Sequence, residues 1–182
     1  PLRPAFANVV APLAHWADEA PRRLWLAGFE AGAWRHLSYE DGWTLVQSLA
    51  AGLYGRFARG SIIAIASSNS ISHALLTYAA PLAGLAVAAI TPAYSTKARD
   101  PRRLHEALKT LGASAVFMEG LAFAKPALWA EEIGVPVISP GDGFGTSGEI
   151  SLDQLFGDPQ DAPDLATIDP RDACKYLLTS GS

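Results

Sequence analysis

Between residues 61 and 138 short apolar runs alternate with longer amphipathic segments, and turn or capping residues mark each change. The run 61–67 is continuous, rich in β-branched residues and one strand long. Such runs suit parallel strands buried on both faces. Ser68-Asn69-Ser70 makes a turn and caps a helix through about residue 83, which Gly84 ends. Residues 86–90 read as the next strand, stopped by Thr91-Pro92. Asp100-Pro101 predicts a helix start, a capping carboxylate followed by proline at the first helical position. That helix ends near Gly112; a strand over 113–118, a helix over 120–133 interrupted at Pro126, and a short strand over 135–138 follow. Repeated strand–helix alternation predicts an α/β fold, a mostly parallel sheet flanked by helices.

The flanks of this region read differently. Phe6, Val9, Val10, Leu13, Trp16 and Ala17 recur at helical spacing within 5–20, ending at Ala20-Pro21. Segments 24–29 and 34–39 surround a Gly32-containing turn and predict a hairpin. Ser38 then caps a helix to about residue 58, with Asp41 in its first turn and Trp43, Val46, Leu49, Ala50, Leu53 and Phe57 inward. Trp16 and Trp34 also fall on predicted inward faces. The stretch 139–171 carries Gly, Asp and Pro around one apolar segment, 152–156, and reads as a surface excursion around one small helix. Asp142-Gly143-Phe144-Gly145 is a loop within it. Residues 174–179 predict a final buried strand, with Cys174 as a packing residue at its start and Lys175 solvated.

Composition removes several classes of function. A chain of 182 residues forms one domain with its own core. With 49% hydrophobic and 18% charged residues it is no disordered tail. A net charge of −4 makes no electrostatic footprint for nucleic acid or an anionic membrane. The doublets Arg22-Arg23 and Arg102-Arg103 sit beside acidic residues and are expected to be solvated. The single cysteine leaves no internal disulfide and no Cys-rich metal site. His15, His36, His73 and His105 lack metal-ligand spacing. No apolar run reaches the roughly 18–20 residues that span a bilayer, and no leader pattern opens the chain, so the cytoplasm is the expected location.

The stretch Thr179-Ser180-Gly181-Ser182 bears most directly on chemistry. Small residues after a strand let backbone N–H groups and hydroxyls approach phosphate oxygens. The Walker A spacing is absent, and an ordinary turn is the plain alternative. Ser180 as a nucleophile lacks a nearby His or Asp in sequence and the G-x-S-x-G flanks. His73, early in its predicted helix, reads as a capping or packing residue, with contact to a substrate or another part of the enzyme as the alternative.

The segment Lys175-Tyr176-Leu177-Leu178-Thr179-Ser180-Gly181-Ser182 resembles the start of the phosphate-loop signature of the adenylate-forming superfamily, which continues with Thr-Gly-x-Pro-Lys. Leu13-Ala14-His15-Trp16-Ala17, Gly32-Ala33-Trp34-Arg35-His36-Leu37-Ser38-Tyr39, the Asn69-x-x-x-His73 segment and Thr91-Pro92-Ala93-Tyr94-Ser95 are similar, in order, to feruloyl-CoA synthetase-like enzymes. The shortened turn at Arg59-Gly60 and the segment Thr96-Lys97-Ala98-Arg99 depart from that branch.

The resemblance implies the N-terminal portion of the adenylate-forming fold, truncated. It implies an incomplete AMP-binding domain over 1–182: N-terminal helix, hairpin and helix over 1–60, βα repeats over 61–138, the excursion over 139–171, and strand plus phosphate-loop start over 172–182. Pro1 at the start and a Gly/Ser loop at the end fit a piece of a longer protein. The implied reaction joins a carboxylic acid, ferulate or a related aromatic acid, to AMP from ATP with Mg2+, then to coenzyme A. Thr179, Ser180, Gly181 and Ser182 would hold the ATP phosphates; no catalytic residue or metal ligand falls within these 182 residues, and the piece alone is expected to be inactive. Nucleic acid and a membrane span are not expected, and the sequence carries no signal for oligomeric state. A non-catalytic α/β module that binds a nucleotide or a partner protein is the competing reading.

Overall fold

Asn8 opens the first helix. Its Oδ1 accepts from the N–H groups of Val10 at 3.0 Å and Ala11 at 2.9 Å. In the computed structural model, which describes residues 6–30, 32–141 and 143–178, α1 then spans Ala11–Glu19. Val10 and Leu13 are buried, whereas Phe6 and Val9 are exposed. Strands β1 (Leu24–Glu30) and β2 (Ala33–Ser38) form the expected hairpin, an antiparallel sheet of their own. Trp34 overturns its inward assignment: it is 64% exposed, packed on its cross-strand partner Phe29 at 5.6 Å. Residues two apart share a strand face. Trp34 and His36 therefore point outward together, and Leu37 takes the buried side. Trp16 also stays at the surface, beside Tyr39 and under the Arg23 guanidinium. Trp43 does pack against the core.

Ser38 caps α2 (Tyr39–Arg56) as expected. Its Oγ accepts from the Asp41 N–H at 3.1 Å and donates to the Asp41 carboxylate at 2.7 Å. Glu40 and Asp41 face the positive end of the helix dipole and Arg56 the negative end. Val46, Leu49, Ala50 and Leu53 form its buried stripe.

The chain then enters the main sheet. In order come β3 (Ile62–Ile65), α3 (Ile71–Leu82), β4 (Ala86–Ala89), α4 (Arg102–Leu111), β5 (Ala115–Phe117), α5 (Ala124–Glu132), β6 (Val137–Ser139), β7 (Ile150–Ser151) and β8 (Lys175–Leu177). The six strands are ordered β7-β6-β5-β3-β4-β8, and every pairing is parallel. Alternation along β3 divides the core: Ile63 and Ile65 join α1, α2 and α3, whereas Ala64 joins α4 and α5. The expected parallel sheet with helices on both faces is what forms.

Several ends differ from the sequence reading. Asp100 accepts from the Arg102 N–H at 3.1 Å, but Pro101 itself is the capping position of α4. Gly112, at φ 60°, ends that helix in the left-handed region glycine tolerates. Pro126 interrupts nothing. It lies in the first turn of α5, where no intrahelical acceptor awaits its missing N–H.

The stretch 139–171 holds more structure than one small helix. It supplies β7 to the sheet edge and three 3-10 turns, and Leu152 and Leu155 are each 3% exposed. The final strand, in turn, is not buried: Lys175, Tyr176 and Leu177 are all exposed, because β8 pairs only with β4. Cys174 beside it is half-buried.

Glu149 organises the turn before β7. Burial raises its pKa, but hydrogen bonds donated by the Ser139 hydroxyl and by the N–H groups of Phe144 (2.8 Å) and Gly145 (2.9 Å) outweigh that and hold it below the usual range. A folded pKa below the unfolded value, about 4.3, adds stability that is full above that pH and lost as pH falls through the folded value. Glu149→Gln is therefore expected to flatten the acid limb of stability against pH. Urea melts between pH 7 and pH 3 check this, and an unchanged limb would rule it out.

Candidate functional site

From β3 the chain passes through α3 to β4 on one side; from β5 it passes through α5 to β6 on the other. Where neighbouring strands diverge in this way, a crevice opens beyond their C-terminal ends. The first turn of α3 and the loop after β5 meet there: the Ser72 hydroxyl donates to Glu119 Oε1 at 3.2 Å. The start of α3 is fixed from two sides. Ser70 Oγ accepts from the His73 N–H at 3.1 Å, and Glu30 Oε1 of the hairpin accepts from the Ile71 N–H at 3.2 Å. Gly28 lets the hairpin approach this closely, since a Cβ there would come within 2.9 Å of Ile71.

A cavity of about 770 Å³ opens beside this crevice, over the ends of β3, β4 and β8. Ser67, Asn69 and His73 form one wall, Tyr94 and Arg103 another, and Leu178 closes a third. Tyr94 comes from the 3-10 turn Pro92–Tyr94, whose Thr91 cap accepts from the Ala93 N–H at 3.4 Å. The Arg103 guanidinium lies over the Tyr94 ring, 5.7 Å from its centre. Among the described residues Arg103 is the one cation lining this cavity, and no carboxylate lines it. Arg103 also lines a neighbouring cavity of about 430 Å³ with Arg99 and Arg102. Arg102 is committed to Asp100, with contacts at 3.1 and 3.0 Å that hold the Asp100 carboxyl below its ordinary range. Both arginines of the doublet are exposed, as expected, yet only Arg103 reaches the larger cavity.

His73 is not itself the cap; Ser70 is. Its ring Nδ1 sits 3.2 Å from Ser67 Oγ and 3.3 Å from the Ser68 carbonyl. Two segments singled out in the sequence, Asn69-x-x-x-His73 and Thr91-Pro92-Ala93-Tyr94-Ser95, thus meet around one space. Leu178, which precedes Thr179, borders that space. Thr179, Ser180, Gly181 and Ser182 themselves lie outside the described residues. Arg103 had no signal in the sequence that pointed to the site, because its placement depends on how α4 crosses the sheet. Among the described residues no cluster of three or more His, Cys, Asp or Glu could hold a metal, and no helix is long and apolar enough to cross a membrane.

The family described as AMP-binding enzyme matches residues 13–182, and the chain belongs to that family. Among solved structures, it is similar to a long-chain-fatty-acid-CoA ligase (FadD1) from Archaeoglobus fulgidus, with 17% identity, a TM-score of 0.76, and coverage of 100% of this chain and 36% of that one. A fatty acyl-adenylate ligase from L. pneumophila, in complex with acyl adenylate and pyrophosphate, aligns with a TM-score of 0.74 at 15% identity, over 97% of this chain and 29% of that one. McyG A-PCP, complexed with phenylalanyl-adenylate, aligns at 0.73 and 17% identity, over 99% and 31%. The chain spans about a third of the length of these proteins. No curated protein sequence matches it significantly.

Proposed function

We propose that the chain is the N-terminal part of an ATP-dependent acid–thiol ligase. A carboxylate attacks the α-phosphorus of ATP and releases pyrophosphate; the thiol of coenzyme A then displaces AMP to give a thioester. The observation that carries this reading is the junction at Leu178: a parallel strand ends at a strand-end cavity, and the next four residues in sequence are Thr179, Ser180, Gly181 and Ser182. Their backbone N–H groups and hydroxyls suit phosphate oxygens without a side-chain charge. Catalysis then rests on positioning and charge stabilisation rather than on a protein nucleophile. Mg2+ would neutralise charge on the phosphates. Among the described residues no carboxylate lines the cavity, and none of them is assigned to the ion.

Reading the coding sequence on from Ser182 tests the assignment: Thr-Gly-x-Pro-Lys in frame is the expected result, and a stop codon would favour a non-catalytic module. In the protein translated from the whole frame, Gly181→Val is expected to lower carboxylate-dependent ATP–pyrophosphate exchange about 100-fold, the scale of a roughly 1 Å misplacement, with unchanged circular dichroism. Ferulate or a related aromatic acid is the proposed substrate, on the resemblance of the 13–17, 32–39, 69–73 and 91–95 segments. A panel of acids in the same assay checks it, and a clear preference for fatty acids would replace it.

A further inference from the structure

His73, which lines the cavity, carries a ring nitrogen that has no partner among the described residues. The ring's Nδ1 faces two oxygens, the Ser68 carbonyl at 3.3 Å and Ser67 Oγ at 3.2 Å. The Ser67 hydroxyl also reaches that carbonyl, at 2.9 Å. A carbonyl oxygen only accepts, whereas a hydroxyl can donate or accept. A proton on Nδ1 of the neutral ring gives the Ser68 carbonyl a donor and lets the Ser67 hydroxyl accept, whereas the other tautomer sets a ring lone pair against that carbonyl. The arrangement is held firmly. Ser67 is 6% exposed, the His73 N–H is bound to Ser70 Oγ, and the His73 carbonyl accepts from Thr77 Oγ1 at 2.9 Å. Fixing the proton on one nitrogen leaves the other as a bare acceptor. Nε2 has no partner among the described residues, and His73 lines both the 770 Å³ cavity and a smaller one of about 270 Å³ between the hairpin and α3.

We propose that His73 contacts the ligand directly, its Nε2 accepting a hydrogen bond from an uncharged hydroxyl, amine or thiol of the molecule that fills the cavity. The Nδ1–H tautomer is part of this proposal; the identity of the ligand rests on the adenylate-forming reading above. Within that reading the donor comes either from the nucleotide, through a ribose hydroxyl or the adenine amine, or from the acceptor thiol.

The test uses the protein translated from the whole reading frame, with 15N-labelled histidine, and long-range proton–nitrogen correlation at pH 8. Nδ1 of His73 is expected in the protonated range and Nε2 in the bare one; the reverse overturns the proposal. Mg·ATP and pantetheine are then added to separate samples. Movement of Nε2 toward the hydrogen-bonded range in one of them supports the contact and identifies its source. Movement at the Leu178 amide with Nε2 unmoved overturns the role of His73 and leaves the adenylate-forming reading intact. No movement with either probe overturns both. Two variants separate contact from scaffolding. Gln at 73 reaches the place of Nε2, whereas Asn reproduces only the Nδ1 side. His73→Asn is expected to weaken the active probe about five- to tenfold, the scale of one hydrogen bond, and His73→Gln is expected to retain most of the binding. The opposite order would make His73 a packing residue and overturn the proposal. If His73→Asn fails to fold, the titration of Nε2 in the unaltered chain decides alone.

Discussion

Phe117→Ala is expected to lower the stability of this chain by about 3–5 kcal/mol, as large-to-small changes at fully buried aromatic positions do. Phe117 is completely buried in β5, opposite Ile65 on one neighbouring strand and Ile138 on the other. Its carbonyl accepts from the Ala66 N–H at 2.9 Å, so the backbone ladder holds the strand in place while the side chain is lost. The surroundings then collapse only partly into the space, and the cavity term adds to the lost transfer energy. At about 2–4 °C per kcal/mol for a chain of this size, the melting temperature falls by roughly 10 °C. Thermal and urea melts measure it, and a loss below about 1 kcal/mol would mean that the face under α2 and α3 is loosely filled. Because β3 and β5 border the crevice, the same substitution should loosen the loops that meet there.

Gly52→Ala comes next in size, and two effects oppose each other. In an exposed helix the change would stabilise by about 1 kcal/mol. Here a Cβ at position 52 would run into the backbone carbonyl of Leu155, which no side-chain rotation can relieve. The same contact zone is tied by two further bonds: Ser48 Oγ donates to the Gly157 carbonyl at 2.6 Å, and the Gly157 N–H donates to the Ser48 carbonyl at 2.9 Å. Alanine must therefore push the 152–157 segment off α2, uncovering Leu152 and Leu155. Overpacking of this kind costs about 1–3 kcal/mol and sometimes more; less the helix gain, the net result is expected to be a loss of about 1–2 kcal/mol. Equilibrium unfolding decides it, and a stabilised variant would show that the segment moves aside freely.

These two sites illustrate what a sequence conveys. Phe117 lies in a segment, 113–118, that the sequence already predicted to be a strand. Gly52 lies in a helix that the caps and the periodicity of Val46, Leu49 and Leu53 predicted, but nothing local says that its missing side chain makes room for residue 155. The same contrast runs through the site. Ser70 as a cap and a strand ahead of Thr179 were legible. The companionship of His73, Tyr94, Arg103 and Leu178 was not, because parallel pairing joins strands distant in sequence.

The sequence by itself determined the class of fold, the boundaries set by Ser38, Ser70, Gly84 and Gly112, and the membership of the core along α2, β3 and β5. Those properties come from periodicity and from capping hydrogen bonds, which span only a few residues. The tertiary structure decided the strand order and the use of Ile150–Ser151 as an edge strand too short to show a period. It also decided the exposure of Trp34 and β8 and the cavity that Arg103 shares with His73. Each of these depends on which surface another part of the chain happens to cover, and burial of that kind is a property of packed pairs rather than of either partner's local sequence.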